Sequence, residues 1–134
     1  MKLKGHVINP GNADGEAIVT KTPFAFVGEL DPTTGKVLSP SHELFGQSLT
    51  NKILVFPTGK GSSAAPLIAW TAMKAGNIPK AMICVQAEPT IAAAAITADI
   101  PKVDKLDGNP LEVIKSGDYV KVDATRGIVE IVEK

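Results

Sequence analysis

The middle of the chain carries the pattern that most restricts its fold. A mostly apolar run at 52–56 is typical of a buried strand, and a loop with two glycines and two serines follows at 57–63. Apolar residues then recur at helical spacing over 64–75, and a second apolar run occupies 81–85. A strand, a helix and a strand in this order predict a parallel βαβ crossover. The chain is therefore predicted to be an α/β protein.

Shorter elements flank this crossover on both sides. Apolar patterning predicts strands at 2–8, 16–21 and 24–27, a small alanine-rich helix at 90–98, and a hairpin made of 119–123 and 128–132. We therefore expect antiparallel hairpins at both ends of the chain and parallel strands in its middle. The chain has 134 residues and no repeat or linker, so residues 1–134 are predicted to form a single domain.

Charge and cysteine content exclude several classes of function. Fourteen Lys and Arg residues balance fourteen Asp and Glu residues, so neither nucleic acid nor an anionic membrane is an expected partner. Cys84 is the single cysteine, which excludes an internal disulfide and a thiolate metal site built by this chain alone. The first residues are too polar for a signal peptide, and charged residues interrupt the apolar windows. We therefore expect a cytoplasmic protein.

The loop at 57–63 is the segment best suited to chemistry. Ligands bind at the carboxyl ends of strands in open α/β sheets, and free N–H groups at a helix start favour anions there. Pro66 is tolerated only in the first helical turn, so the helix should begin no earlier than about Ser63, and Ser63 or a neighbour could cap it with a hydroxyl. Ser62 is then expected outside the helix with an uncommitted hydroxyl. An ordinary helix cap after a strand fits the same residues.

The loop matches no common catalytic motif. Its glycines lack the spacing of a P-loop or of a dinucleotide-binding fingerprint, and the Gly-x-Ser-x-Gly nucleophile pattern does not occur. A serine with no base beside it is a poor catalyst. Catalysis at Ser62 would therefore need a group from elsewhere, most simply from a second subunit.

Several segments resemble one known family. Gly61-Ser62-Ser63 after a buried strand resembles the Gly-Ser-Ser motif in the swivelling domain of the aconitase superfamily. Residues 26–35 (Phe-Val-Gly-Glu-Leu-Asp-Pro-Thr-Thr-Gly) resemble a segment of the aconitase X small subunit. The pattern continues in order through His42, Leu44, Gly46, Gln47 and 52–57. The resemblance covers roughly residues 5–127.

The resemblance implies a three-layer swivelling β/β/α domain that acts as the small subunit of a hydro-lyase. The implied reaction removes water from (R)-mevalonate 5-phosphate and gives trans-anhydromevalonate 5-phosphate, in the archaeal mevalonate route to isoprenoids. Ser62 is implied to be the proton acceptor, while an iron–sulfur cluster on a large partner subunit polarises the departing hydroxyl. A 4Fe–4S cluster is expected there. None is expected on this chain, because one thiol cannot hold such a cluster.

Four further residues are candidates for binding the substrate. Gly61 and Ser63 flank Ser62, Lys60 could contact the substrate phosphate, and His42 could reach the subunit interface. A solvated loop lysine and a structural histidine are the more ordinary interpretations of the last two. The expected assembly is a heterodimer or a larger complex with a small phosphorylated hydroxy acid as its substrate.

Two departures and three alternatives accompany the resemblance. Ala64 stands where aconitase has the arginine that binds a substrate carboxylate, and Glu43 stands where proline is expected. A subunit of a hydroxyproline or other hydroxy-acid dehydratase is the nearest alternative. Residues 117–129 also resemble the phosphohistidine swivelling domain, but no histidine follows His42 to carry a phosphate. The third alternative is a non-catalytic scaffold, in which the Gly-Ser-Ser loop only caps a helix.

Overall fold

The structure, a computed structural model, describes residues 1–132. These residues form a mixed sheet of eight strands, in the order β1-β8-β7-β3-β4-β5-β6-β2, and three helices. In chain order the elements are β1 (Lys2–Lys4), β2 (His6–Asn9), β3 (Asn12–Val19), β4 (Ile53–Phe56), α1 (Ala65–Lys74), β5 (Ala81–Cys84), α2 (Pro89–Thr97), β6 (Lys102–Asp104), α3 (Pro110–Val113), β7 (Tyr119–Asp123) and β8 (Ile128–Ile131). No helix within 1–132 is long and apolar enough to cross a membrane.

Strand β3 joins two halves of the sheet. Residues 12–16 pair antiparallel with β7, and residues 17–19 pair parallel with β4. One half is the antiparallel group β1, β8 and β7. The other contains the parallel strands β4, β5 and β6, with β2 antiparallel at its edge. The predicted parallel crossover β4–α1–β5 and the predicted hairpin of β7 and β8 are confirmed.

The sheet curls until its two edges meet at Gly5. Strands β1 and β2 lie at opposite ends of the sheet, although only Gly5 separates them in sequence. The N–H of Gly5 donates to the carbonyl of Gly127 at 2.8 Å. A Cβ on Gly5 would lie 2.5 Å from the carbonyl oxygen of Asp104, so a larger residue does not fit there. The single strand predicted at 2–8 and the hairpin predicted at this end are therefore wrong.

Two apolar clusters cover opposite faces of the parallel half. Side chains alternate along β4, so Ile53 and Val55 point to one face and Leu54 and Phe56 to the other. The first pair packs against Val120 and its neighbours in the antiparallel half. The second pair packs beneath helices α1 and α2. The antiparallel half, the parallel half and the helices thus form the three-layer β/β/α arrangement that the family resemblance implied.

The apolar segment 24–27 is largely buried but is not a strand, contrary to the prediction. Its β contact is a single parallel bridge between Phe24 and Gly59. Phe24 and Phe26 are nevertheless inaccessible to solvent and pack edge to face, with ring centroids 5.3 Å apart. The chain turns away directly afterwards at Gly28, which has a φ of 80°. The apolar run therefore indicated burial correctly and secondary structure incorrectly.

Candidate functional site

The loops that follow β4 and β5 lie side by side at the start of the two long helices. Residues 57–64, called the serine loop below, lead from β4 into α1, and residues 85–88 lead from β5 into α2. The N–H groups of Val85 and Gln86 both donate to the carbonyl of Pro57, at 3.1 and 3.2 Å. The site was predicted at the carboxyl ends of the parallel strands. At this edge of the sheet the starts of α1 and α2 lie next to each other.

Two neighbouring segments hold the serine loop in place. On one side, the N–H of Phe24 donates to the carbonyl of Thr58 at 3.1 Å, and the N–H of Lys60 donates to the carbonyl of Phe24 at 3.0 Å. On the other side, Gly59 packs against Ile91 and Glu88 at the start of α2. The loop backbone is thus fixed between the buried phenylalanine segment and the second helix.

The close packing of Gly59 gives a stability prediction. A Cβ on Gly59 would lie 2.7 Å from the Cβ of Ile91 and 2.9 Å from a carboxylate oxygen of Glu88. We expect Gly59→Ala to lower the free energy of unfolding by about 1–3 kcal/mol in urea denaturation of the purified chain. Gly61→Ala is the matched control, because its Cβ would approach no atom closer than 3.4 Å. Equal stabilities for the two variants would contradict this packing.

Ser62 is half-buried and lies three residues before the start of α1. Its side-chain oxygen accepts the N–H of Ala64 at 3.3 Å, and its carbonyl accepts the N–H of Ala65 at 3.1 Å. Its own N–H donates to the hydroxyl oxygen of Thr90 at 3.4 Å. Ser62 lies outside the helix as predicted, but its side-chain oxygen is not uncommitted. The N–H donor at this oxygen favours the alkoxide over the neutral hydroxyl, because hydrogen bonds to a charged form stabilise that form.

Helix α1 begins without a conventional side-chain cap. Its N-cap residue is Ala64, no side chain of the N-cap accepts a helix N–H, and the first turn contains no acidic residue. The expectation that Ser63 caps the helix is therefore wrong, and Ser63 is exposed. Pro66 lies in the first turn, as predicted. The positive end of the helix dipole thus faces the serine loop without an opposing carboxylate of its own.

Helix α2 has a charged cap that the sequence analysis missed. The carboxylate of Glu88 accepts the N–H groups of Thr90 at 3.1 Å and Ile91 at 2.7 Å, and it also accepts the hydroxyl of Thr90. Burial raises the pKa of Glu88, but the hydrogen bonds from Thr90 and Ile91 outweigh this effect, and the pKa lies below its usual value. An acidic residue directly before Pro89 is a recognisable helix-start signal. Thr90 in turn supports the backbone of Ser62.

Lys60 has an ionic partner within the chain. Its Nζ lies 2.6 Å from a carboxylate oxygen of Glu29, whose side chain is 8% exposed, whereas the Lys60 side chain is 50% exposed. A second oxygen of Glu29 accepts the N–H of Ala25 at 2.7 Å. A substrate phosphate would therefore have to compete with Glu29 for this ammonium.

His42 is buried beneath the phenylalanine segment. Its Nδ1 accepts the N–H of Leu44 at 3.0 Å, so the ring proton is on Nε2, which donates to the carbonyl of Pro23 at 3.2 Å. The ring also packs edge to face with Phe24, with centroids 6.2 Å apart. Both ring nitrogens are thus occupied by backbone groups. His42 therefore stabilises the segments that surround the serine loop. Neither ring nitrogen is left free for the substrate contact that was suggested for this residue.

The donor groups of this chain do not fit an iron–sulfur cluster. Cys84 is inaccessible to solvent, and burial raises the pKa of its thiol to about 11. A cluster requires several thiolates, and the chain has one cysteine. Among residues 1–132, no three His, Cys, Asp or Glu side chains lie close enough together to hold a metal ion.

Comparison with known proteins identifies the family. The family model described as the aconitase X swivel domain matches residues 2–131. The chain belongs to the aconitase X swivel domain family. It is 46% identical to the phosphomevalonate dehydratase small subunit of Methanocella arvoryzae, over 98% of this chain and 99% of that relative. The same subunit of Thermococcus kodakarensis is also 46% identical, over 99% of this chain and 98% of that relative.

Two solved structures of aconitase X swivel domains or their relatives share the fold. The crystal structure of Thermococcus kodakaraensis aconitase X in its holo form matches with a TM-score of 0.93 and 44% identity, over 99% of both chains. The solution NMR structure of a UPF0107 protein matches with a TM-score of 0.90 and 41% identity, over 99% of this chain and 100% of that chain. The predicted swivelling fold and the predicted family are confirmed. The words "small subunit" in the relatives' names imply a larger partner chain.

Proposed function

We propose that this chain is the small subunit of a hydro-lyase that converts (R)-mevalonate 5-phosphate into trans-anhydromevalonate 5-phosphate in the archaeal mevalonate pathway. The relatives named phosphomevalonate dehydratase small subunit support this substrate, since they are 39–46% identical over nearly the whole chain. The observation that carries the proposal is the serine loop itself. It presents Ser62 beside backbone N–H groups and lacks a base, which suits a chain that contributes part of a shared active site.

In this proposal Ser62 is the proton acceptor. Its alkoxide takes the proton from the carbon next to the hydroxyl-bearing carbon, the electron pair of that C–H bond forms the double bond, and the C–O bond breaks to release the hydroxyl as hydroxide. The proton taken up by Ser62 and this hydroxide together make up the water that is released, which restores the Ser62 alkoxide. A serine hydroxyl is ordinarily far too weak an acid for this task. The N–H of Ala64, 3.3 Å from the side-chain oxygen of Ser62, and the start of α1 both stabilise negative charge at this position.

Gly61, Ser63 and Lys60 are the proposed substrate contacts of this chain. Gly61 and Ser63 are exposed on either side of Ser62, so they can face a substrate held against the loop. The half-exposed ammonium of Lys60 is the nearest candidate in the loop for the phosphate, in exchange for part of its contact with Glu29. Because Ala64 replaces the arginine of aconitase, we assign the substrate carboxylate to a group of the large subunit.

The proposal assigns the remaining parts of the site to the partner. From the resemblance to the aconitase superfamily we infer a complex with a large subunit that holds an iron–sulfur cluster of the 4Fe–4S type. The cluster is assigned to the partner because this chain offers one buried cysteine and no other set of ligands in residues 1–132 to hold it. We also propose that the complex acts in the cytoplasm, because its relatives are named as subunits of an enzyme. The balanced charge gives no reason to propose nucleic acid as a partner.

Co-expression of this chain with its large subunit tests the substrate. We expect the anaerobically purified complex to release water from mevalonate 5-phosphate, with the unsaturated product detected by NMR, and to leave hydroxyproline unchanged. Turnover of hydroxyproline in place of mevalonate 5-phosphate would show that the chain belongs to a hydroxyproline dehydratase and would contradict the proposed substrate. A complex with its cluster in place that turns over neither compound would overturn it.

A further inference from the structure

Glu29 is a buried carboxylate beside the serine loop. Its side chain is 8% exposed, and one of its oxygens accepts the N–H of Ala25 at 2.7 Å. The Nζ of Lys60, a residue of the loop, donates to the other oxygen at 2.6 Å. Both oxygens therefore have a partner within the chain, as a buried charge requires. The proton transfer proposed for Ser62 makes no use of this carboxylate, so its position calls for a separate reason.

The backbone at both ends of this ion pair is fixed. The carbonyl of Glu29 accepts the N–H of Leu38 at 2.7 Å, and the neighbouring Gly28 turns the chain with a φ of 80°. At the other end, the N–H of Lys60 donates to the carbonyl of Phe24 at 3.0 Å. Because both backbones are anchored, the ion pair between them holds the long lysine side chain in one arrangement.

The ammonium of Lys60 keeps the capacity to bind a ligand. An ammonium has three N–H donors, and Glu29 uses one of them. The Lys60 side chain is 50% exposed, so solvent or a ligand can reach the remaining donors. A phosphate oxygen can therefore bind this ammonium while Glu29 keeps its contact.

A lysine held by a carboxylate is an effective phosphate-binding group. In protein kinases, the lysine that contacts the nucleotide phosphates must first form an ion pair with a glutamate. A lysine side chain that is already held in place loses less rotamer freedom when its ligand binds. The charge of Glu29 repels a phosphate, but the carboxylate is buried and the ammonium is half-exposed. A phosphate arriving from solvent therefore meets the ammonium first, and the closer attraction outweighs the repulsion.

The spacing of Lys60 and Ser62 suits the proposed substrate. Residues two apart in sequence have Cα atoms no more than about 7 Å apart. In an extended molecule of mevalonate 5-phosphate, the phosphorus lies roughly 6 Å from the carbon that loses its proton. Because the two lengths are comparable, one substrate molecule can contact both residues.

We propose that Glu29 is a positioning residue that determines the preference of the site for a phosphorylated hydroxy acid: it holds the Lys60 ammonium where the phosphate binds. Glu29 does not contact the substrate and acts through Lys60. The inference deepens the proposed function and rests on Lys60 being the phosphate contact.

Kinetics of the complex with the large subunit test this role. Glu29→Gln keeps the shape of the side chain and an acceptor for the N–H of Ala25, but it removes the charge. We expect it to raise KM for mevalonate 5-phosphate by about 5- to 20-fold, with kcat within about threefold. Lys60→Met should raise KM by about 10- to 100-fold. Adding Glu29→Gln to Lys60→Met should change KM by less than about twofold, because the ammonium that Glu29 positions is gone.

Glu16→Gln is the matched control. Glu16 forms an ion pair with Lys52 at 2.9 Å, and Lys52 precedes β4, at the end of the strand away from the serine loop. This variant should leave KM within about twofold of that of the unsubstituted complex. Equal rises of KM in Glu16→Gln and Glu29→Gln would overturn the inference, since they would not depend on the loop.

Three further outcomes bear on Glu29 itself. An unchanged or lowered KM in Glu29→Gln would overturn the inference, and a lowered KM would show that Glu29 only competes with the phosphate. Additive effects of Glu29→Gln and Lys60→Met would also overturn it. If Glu29→Gln does not fold, Glu29→Asp decides, because it keeps the charge and withdraws it from Lys60 by the length of one methylene. A raised KM in Glu29→Asp supports the inference, and an unchanged KM contradicts it.

Lysine ammonium NMR separates this inference from the substrate assignment. In the full chain labelled with 15N, we expect the Nζ protons of Lys60 to exchange slowly with solvent at low temperature and to exchange faster in Glu29→Gln. The same exchange rate in both chains would overturn the inference. A faster rate together with a complex inactive on mevalonate 5-phosphate would refute the proposed function and leave the positioning of Lys60 supported. An active complex whose KM is unaffected by Glu29→Gln would overturn the inference and leave the proposed function intact.

Discussion

Ser62→Ala in the complex with the large subunit is expected to lower kcat by about 10²–10⁴-fold while KM stays within about twofold. The reason is that, in the proposed reaction, Ser62 accepts the proton and so supplies an interaction made only as the proton is transferred. Its backbone contacts with Thr90 and Ala65 do not use the hydroxyl, so the loop should keep its shape. Steady-state kinetics of the purified complex measure the effect.

Ser63→Ala is the matched control for this experiment. Ser63 has the same chemistry and neighbours Ser62 in sequence, but its side chain is exposed and caps no helix. We expect its kcat to remain within about threefold of the unsubstituted complex and any loss to fall on KM, since Ser63 is proposed to contact the substrate and not to accept the proton. If Ser62→Ala retains full kcat, or if both alanine variants lose activity equally, Ser62 is not the proton acceptor.

Phe24→Ala is expected to lower the free energy of unfolding of the chain by about 3–5 kcal/mol. The Phe24 ring is inaccessible to solvent and lies 6.1 Å from the Phe56 ring, centroid to centroid. Its removal leaves a cavity beneath the serine loop, where the backbone of Phe24 bonds Thr58 and Lys60. Urea denaturation followed by circular dichroism measures the loss.

Phe45→Ala serves as the comparison, because the Phe45 side chain is 55% exposed. We expect this substitution to change the free energy of unfolding by less than about 1 kcal/mol. Similar losses for the two phenylalanines would show that the segment around Phe24 is not part of the core that supports the loop.

The central crossover could be predicted because its signals are local. The apolar runs at 52–56 and 81–85 are long enough to indicate buried strands, and Pro66 and Gly76 bracket the helix between them. These features depend on residues close in sequence. The same applies to the hairpin of β7 and β8, whose alternating residues and glycine turns are contiguous.

The parts that could not be predicted depend on distant contacts. Strand β6 has three residues, two of them charged, and it is buried only because β2 and β5 pair with it from remote parts of the chain. Lys102 therefore looks like a surface lysine in the sequence. Likewise, 2–8 alternates like one strand, and only the closure of the sheet at Gly5 divides it.

The site shows the same division between local and distant information. The position of Ser62 outside the helix follows from Pro66, four residues later. The hydrogen bond that its side-chain oxygen accepts from the N–H of Ala64 depends on the shape of the serine loop. Contacts with Phe24 and Glu88, which lie elsewhere in the chain, determine that shape. Sequence patterns therefore located the candidate residue, whereas its hydrogen bonds required the fold.

Reconstitution from separate subunits tests the central claim most directly. The large subunit, purified anaerobically, is mixed with increasing amounts of this chain, and the conversion of mevalonate 5-phosphate is followed by NMR. We predict negligible product from the large subunit alone, and a rate that rises until the two chains are equimolar. Full activity of the large subunit alone, or no activity at any ratio, would contradict the claim that this chain completes a dehydratase site.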